Sequence, residues 1–302
     1  MSLDPSHLDY PNRRHGQDID RHDWRLAKDR AKASLPDGRK LAVMPVVACE
    51  HHPIDPSKTP FNHPHGMITP FPDLRHFTTR DYGNRVGVFR ILKAFREAGL
   101  TATFALSAAL LDRARPLVDA ILSDGHEIAA AGLHGDAIHH SGLSQAEEGA
   151  IIAQSRAAFA QAGLEPVSWL SPARQQSFAT PDLLAEAGFA AVLDWETDQV
   201  PLAMRTPHGP LTALPVHNEL DDFKLLIERK QTEESWARQI AEAAAFLLGE
   251  HERFGQVLGF SLTPFVIGQP FRIGALERLL AVFADNEAIW CARAQDIKSA
   301  FR

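Results

Sequence analysis

The chain has 302 residues, 45% of them hydrophobic, and a formal net charge of −7 at pH 7. That length and composition allow one large α/β domain with a sizeable core. The acidic balance argues against nucleic acid or an anionic membrane surface as a partner, because both select proteins with a basic face.

The cysteines and the apolar runs restrict the cellular location of the protein. Only Cys49 and Cys291 occur, each within an apolar stretch and neither in a CxxC spacing, so we expect two buried, reduced thiols. The first 24 residues lack the apolar stretch of a signal peptide, and no segment reaches the ~20 apolar residues of a membrane span. These features predict a cytoplasmic protein.

Residues 1–38 are polar and have little periodicity, so they are predicted to form an N-terminal arm ahead of a single domain at 39–302. The first 40 residues hold nine Lys or Arg and seven Asp or Glu, a net charge of +2, whereas the rest of the chain carries −9. Such an arm can lie against an acidic body, its own or that of a second subunit, or it can be a solvated tail. Together with the long loop at 50–84, the arm leads us to expect a homo-oligomer.

A strand is predicted over residues 41–49, LAVMPVVAC, although Pro45 is unusual for a central strand. The loop that follows, at 50–84, holds six prolines and five histidines. Loops of this length in compact domains are usually functional or disordered, and the regular positions of Pro, Phe and His favour an ordered wrap.

From residue 85 the chain alternates between helical and strand patterns. Gly99 is placed to end a helix, Ser144 and Glu147 form a capping box, and Thr180 is placed to cap a helix ahead of Pro181. Predicted helices cover 85–99, 108–123, 144–162, 180–188, 232–249 and 274–284, with a short one at the end of the chain. Predicted strands cover 101–106, 126–130, 168–171, 190–195, 211–216, 257–262 and 288–292. This order predicts an α/β fold with a largely parallel sheet or barrel, whose ligands bind at the carboxyl ends of the strands.

Several segments, in their order along the chain, resemble the polysaccharide deacetylase superfamily, which includes the chitooligosaccharide deacetylases. They are ATFAL (102–106), SDGHEIAA (123–130), TPDLLAEAGFAAVLDW (180–195) and SLTPFVIGQPFRI (261–273). Within the superfamily, RDYGNRVGVFRIL (80–92) and WLSP (169–172) are similar to the branch of metal-independent allantoinases and cyclic-imide hydrolases. The resemblance runs from about residue 41 to the end and implies a distorted (β/α) barrel of about seven strands.

The chain departs from the superfamily at the positions that hold its metal. Metal-dependent members place an Asp pair where this chain has Ala48-Cys49-Glu50, and two histidines where it has Ala131 and Gly135. The catalytic histidine of the family falls at Thr263, and its arginine-containing motif is replaced around Ser171. The metal-independent branch is similar in placing Glu at the first site, so the resemblance implies that the usual metal triad has been lost.

Hydrolysis of an amide requires an activated water, a polarised carbonyl and a proton for the leaving nitrogen. Glu50 is the candidate base, because partial burial after an apolar strand is expected to raise the pKa of its carboxyl group; a surface carboxylate is the alternative. His134 and His139 are candidate catalytic residues, as the acid or as donors to the substrate, although a loop histidine is more often solvent-exposed. No cofactor is expected. The alternative is zinc, whose candidate ligands have no strong metal spacing and are His51, His52, His134 and His139.

Five further residues are candidates for binding the substrate: Arg85, Arg174, Trp195, Gln269 and Arg272. Either Arg85 or Arg174 can clamp a polar substrate or an oxyanion, although Arg85 can instead pair with Asp81. Trp195 offers a flat wall for a ring, or it packs in the core. Gln269 and Arg272 follow a strand end, where they line a pocket or hold the loop.

The sequence therefore predicts a hydrolase of a non-peptide carbon–nitrogen bond in a small molecule or saccharide. The expected substrate is a small cyclic amide, imide or ureide, or an N-acetyl group, and the usual metal triad is not expected. Two alternatives stay open: a non-catalytic deacetylase-like binding or assembly protein, and a metal-dependent polysaccharide deacetylase with rebuilt ligands.

Overall fold

A computed structural model describes residues 19–23, 26, 34–55, 74–250 and 255–301. In these residues one sheet is surrounded by helices. Its strands are β1 Leu41–Cys49, β2 Thr103–Leu106, β3 Glu127–Ala130, β4 Ser168–Trp169, β5 Ala191–Val192, β6 Leu202–Met204, β7 Leu211–Ala213, β8 Gln256–Leu262 and β9 Ile289–Cys291. The helices are α1 Leu74–Tyr82, α2 Val88–Ala98, α3 Leu110–Arg113, α4 Arg115–Ser123, α5 Gln145–Gln161, α6 Thr180–Glu186, α7 Glu233–Gly249, α8 Ile273–Ala284 and α9 Ala294–Ala300.

The strands follow the order β6-β7-β5-β4-β3-β2-β1-β8, and β9 also pairs with β1. Every pairing is parallel except that of β6 with β7. Past β7 the chain reaches the other edge of the sheet, where the His217 backbone N–H donates to the carbonyl of Gly259 in β8 at 2.9 Å. The sheet therefore curls into the distorted barrel that the sequence predicts, with nine strands in the described residues rather than about seven.

Pro45 fits inside β1 because one neighbour of the strand changes at that point. β9 pairs with Leu41–Val43, whereas β2 pairs with Val46–Cys49. Met44 and Pro45 therefore pair only with β8. A residue without an N–H is tolerated where the ladder is interrupted in this way.

Successive side chains of β1 are buried in two different apolar clusters. Leu41, Val43 and Val47 belong to the large core between the sheet and the helices. Met44 and Val46 belong to a second cluster with Ala105, Ala129 and Ala191 from other strands and with Leu214, which follows β7. Successive side chains of a strand point to opposite faces, so even-numbered residues of β1 face the interior of the barrel. Glu50, one step past the strand, continues this even-numbered row.

The structure differs from the predicted elements where a proline or an unusual helix intervenes. The helix predicted at 108–123 is divided at Ala114 into α3 and α4, because Pro116 cannot continue the hydrogen-bonded helix. α6 begins at Thr180 rather than being capped by it. Helix α1 lies inside the predicted loop at 50–84, and residues 56–73 of that loop are outside the described residues.

Other predicted features are partly observed. Cys49 is buried and Cys291 is half-buried, and both are free thiols. In the arm, Arg21 donates to the Asp182 carboxylate of α6 at 2.5 and 2.9 Å. The domain boundary after residue 38 remains a prediction. Among the described residues, no helix combines the length and apolar character that crossing a membrane requires.

A buried histidine makes the stability of the fold sensitive to acid. His126 is 4% exposed, and its Nδ1 accepts a hydrogen bond from the Ala102 backbone N–H at 3.1 Å. Burial lowers the pKa of His126 to about 4, so the folded protein keeps this ring neutral while an unfolded histidine protonates near pH 6.5. The stabilisation is therefore complete above pH 6.5 and is lost as the pH falls toward 4.

We expect wild-type protein to lose about 3 kcal/mol more unfolding free energy between pH 7 and pH 4 than a His126→Gln variant loses. Gln cannot titrate, but its amide oxygen can still accept the Ala102 N–H. Urea unfolding at the two pH values measures the difference. Equal losses in the two proteins would show that His126 does not cause the acid sensitivity.

Candidate active site

Glu50 lies at the carboxyl end of β1, in the wall of a cavity of about 650 Å³. Its side chain is 29% exposed, so the carboxylate is accessible from the cavity. Other residues that line the cavity come from the strands, from the segments that follow them, and from α1 and the turn after it; they include Ala48, Arg80, Asn84, Leu170, Ser171, Arg174, Asp221, Ser261 and Thr263. The cavity therefore occupies the position where a parallel barrel binds its ligands.

Several donors surround the Glu50 carboxylate. His52 Nε2 lies 3.3 Å from Glu50 Oε2, and the charge of Arg80 and a backbone hydrogen bond from Ala173 act on the same group. Burial alone raises the pKa of Glu50, but these interactions outweigh it and leave the pKa below the ordinary glutamate value. The pKa direction expected from burial alone is therefore wrong, and Glu50 is a carboxylate at neutral pH, as a base requires.

Arg80 provides a buried positive charge beside Glu50. Only 6% of the residue is exposed, and its guanidinium lies 5.3 Å from the centre of the Phe265 ring. Burial lowers the pKa of Arg80 to about 10, while Glu50 acts to raise it, so Arg80 is charged at neutral pH. The sequence prediction missed this residue, because it placed Arg80 in a loop.

A π-helical turn, Gly83–Gly87, joins α1 to α2 and packs closely against the loop after β8. A Cβ atom on Gly87 would lie 2.1 Å from the Pro264 carbonyl oxygen, so only glycine allows this approach. The turn also places Asn84, whose Nδ2 donates to the Glu50 carbonyl at 2.8 Å. Such turns occur frequently at functional sites, and this one brings a helix against the end of β1.

Arg174 and Asp221 line another part of the cavity, and the adjacent Asp222 is buried. Arg174 donates to the Val216 carbonyl at 3.0 Å and to Asn218 Oδ1 at 2.6 Å, and its Nη2 lies 4.0 Å from Asp221 Oδ2. Asp222 is fully buried, and burial followed by the charge of Asp221 raises its pKa well above the ordinary value. Of the substrate-binding candidates, Arg174 is the one that lines this cavity.

Asp222 fixes the backbone at position 263, where the resemblance places a catalytic histidine. Thr263 stands there, and its backbone N–H donates to both Asp222 carboxylate oxygens at 2.9 Å. The Phe223 N–H donates to the same carboxylate at 2.8 Å. Thr263 lines the cavity without offering a group that titrates near neutral pH.

Neither histidine predicted to act in catalysis reaches the cavity. His134 Nδ1 lies 2.5 Å from Asp136 Oδ1, and His134 is not among the residues that line the cavity. His139 is 0% exposed, with its Nδ1 3.2 Å from Glu148 Oε1 and its ring against Trp169. We therefore give His139 a structural role and leave both residues out of the candidate active site.

The remaining substrate-binding candidates lie outside the Glu50 cavity. The Arg85 side chain is 76% exposed and pairs with Asp81 at 3.4 Å, the alternative that the sequence offers for it. Trp195 lines a neighbouring cavity of about 490 Å³ that shares Arg174 with the first. Gln269 Nε2 donates to the Phe265 carbonyl at 3.1 Å, and Arg272 stacks on Phe271 at 4.9 Å, so both hold the loop.

The residues where the resemblance places metal ligands do not fit a metal ion. Ala131 and Gly135 offer no side-chain ligand atoms, and Glu50 supplies one carboxylate. The alternative ligands do not converge, because His51 packs on Phe77, whereas His52, His134 and His139 each face a different carboxylate. Within the described residues, no group of three or more His, Cys, Asp or Glu side chains can hold a metal. Two further histidines of the long loop, His63 and His65, lie outside those residues.

Comparison with known proteins identifies similar folds. A search of curated protein sequences finds no match. A "probable polysaccharide deacetylase" from Pseudomonas aeruginosa PAO1 superposes with a TM-score of 0.81 at 22% identity, covering 90% of this chain and 95% of that one. A PuuE allantoinase superposes with a TM-score of 0.82 at 21% identity, covering 90% and 94% of the two chains. The family model described as Polysaccharide deacetylase matches residues 72–192, and the chain shares the fold of these two solved structures.

Proposed function

We propose that the protein hydrolyses a non-peptide carbon–nitrogen bond in a small cyclic amide, imide or ureide, without a tightly bound metal. The observation that carries the proposal is the Glu50 carboxylate, exposed to a cavity at the strand ends and close to the charge of Arg80. The likeness to a PuuE allantoinase and to polysaccharide deacetylases supports this class of reaction.

In the first step, Glu50 accepts a proton from a water molecule in the cavity. The water oxygen forms a bond to the carbonyl carbon of the substrate, and the carbonyl electrons move onto oxygen. The Arg80 guanidinium stabilises that negative charge, because a fixed cation in a partly desolvated site needs little reorganisation. The low pKa of Glu50 keeps it ready to accept the proton at neutral pH.

In the second step, the carbon–nitrogen bond breaks and the leaving nitrogen takes up a proton. Glu50 supplies this proton from the one it accepted, so water is added across the bond and the ring opens. His134 and His139 are not needed as acids, which agrees with their positions outside the cavity. A strained ring amide suits this mechanism, because its hydrolysis requires less stabilisation of the transition state than that of an unstrained amide.

The proposal is tested by assaying wild-type protein on succinimide, hydantoin, dihydrouracil, allantoin and an N-acetylated chitooligosaccharide. Ring opening of at least one cyclic compound, retained after exhaustive chelation, is the expected result. Deacetylation that requires added zinc would instead identify a metal-dependent deacetylase. No turnover of any compound, together with ligand-induced thermal stabilisation, would identify a non-catalytic binding protein.

A further inference from the structure

His52 occupies space that Gly135 leaves open on a neighbouring loop. A Cβ atom built on Gly135 would lie 2.3 Å from His52 Nε2 and 2.5 Å from its Cε1. A side chain at position 135 and the His52 imidazole therefore exclude each other in this arrangement. The two loops are also joined directly, because the Gly135 backbone N–H donates to the His51 carbonyl at 2.7 Å.

From this space the His52 ring reaches Glu50. The residue is 3% exposed, and its Nε2 lies 3.3 Å from Glu50 Oε2. An Nε2–H group in this place donates to the carboxylate. Arg80 acts on the same carboxylate from α1, and the Ala173 backbone acts on it from the turn at 172–174. The carboxylate is therefore held by groups from three separate parts of the chain.

We infer that His52, seated in the space that Gly135 leaves open, is the positioning residue of Glu50. The inference rests on the proposed role of Glu50. A glutamate side chain has several rotatable bonds, and a base acts efficiently only when it is held close to its working geometry. His52, fixed in the space beside Gly135, supplies that restraint without lining the cavity itself.

Replacing His52 with Leu, which cannot donate, should lower kcat by a factor of about 10 to 100, the range found when a supporting hydrogen bond is removed. KM should change little, because His52 does not line the cavity. His52→Gln restores an N–H donor and should recover part of the loss. The exposed His208, replaced by Leu, is the control and should leave kcat unchanged.

The shared space is tested independently by thermal unfolding. Gly135→Ala should lower the melting temperature in the wild-type background and should lower it much less in a His52→Gly background. Gly249→Ala is the control, since a Cβ atom there meets nothing within 4 Å. Equal effects of Gly135→Ala in both backgrounds would overturn the assignment of this space to His52.

A crystal structure of His52→Leu separates this inference from the proposed function. We expect the Glu50 carboxylate to have moved away from its wild-type position. A displaced Glu50 in the variant, together with a wild-type protein that turns over no tested substrate, would contradict the proposed function alone. An unmoved Glu50, or a His52→Leu variant with the kcat of wild type, would overturn the positioning role.

Discussion

Replacing Glu50 with Gln is expected to lower kcat by a factor of about 10²–10⁴, the usual contribution of a positioned general base. Gln keeps the shape of the side chain but cannot accept a proton from water. KM should stay close to the wild-type value, whereas the melting temperature should fall, because the buried Arg80 guanidinium loses the charge of the neighbouring carboxylate. Steady-state kinetics on the substrate identified by the assay, with circular dichroism as a check on folding, measures the effect.

Glu50→Asp is the matched control for this experiment. It keeps a carboxylate but withdraws it by one methylene, so it should retain more activity than Glu50→Gln. A Glu50→Gln variant with the kcat of wild type would remove Glu50 from the mechanism.

Replacing Arg80 with Met is expected to lower kcat/KM by about 10²–10³, the loss typical of removing one group that stabilises the oxyanion. Met is long enough to keep the packing on Phe265, so the change is chiefly one of charge. Loss of that charge also removes one interaction that lowers the pKa of Glu50. The acidic limb of the pH profile of kcat/KM should therefore move to higher pH.

Arg85→Met is the matched control, five residues further along, in the π-helical turn that follows α1. Its side chain is exposed and paired with Asp81, so kcat/KM should not change. An equal loss in the two variants would show that the oxyanion is not held by Arg80, and a loss in Arg85→Met alone would favour the role predicted for it from the sequence.

The sequence was informative where a local pattern fixed the direction of a side chain. The apolar run of residues 41–49 predicts β1, and alternation along the strand places Glu50 on the interior face. The capping box at Ser144 is observed, with the Glu147 backbone N–H donating to Ser144 Oγ at 3.3 Å. These features depend on residues that are close together in the chain, so they can be predicted from the sequence alone.

The rest of the site depends on contacts between distant parts of the chain. Arg80 follows a proline-rich segment and lies against Phe265, and no local pattern joins those two positions. The sequence offers His134 and His139 as candidates because they lie in the loop after β3, whereas the imidazole beside Glu50 is that of His52. Gly135 is the one sequence feature that points to His52, because a residue without a side chain beside the loop after β1 leaves room for a side chain from that loop.

The most direct test of the central claim, that a carboxylate and not a cation activates the water, is the pH dependence of kcat/KM in wild-type protein freed of metal. We expect undiminished activity with an acidic limb below the ordinary pKa of a glutamate, since the interactions around Glu50 lower its pKa. Loss of activity on chelation and its return with one equivalent of zinc would contradict the claim.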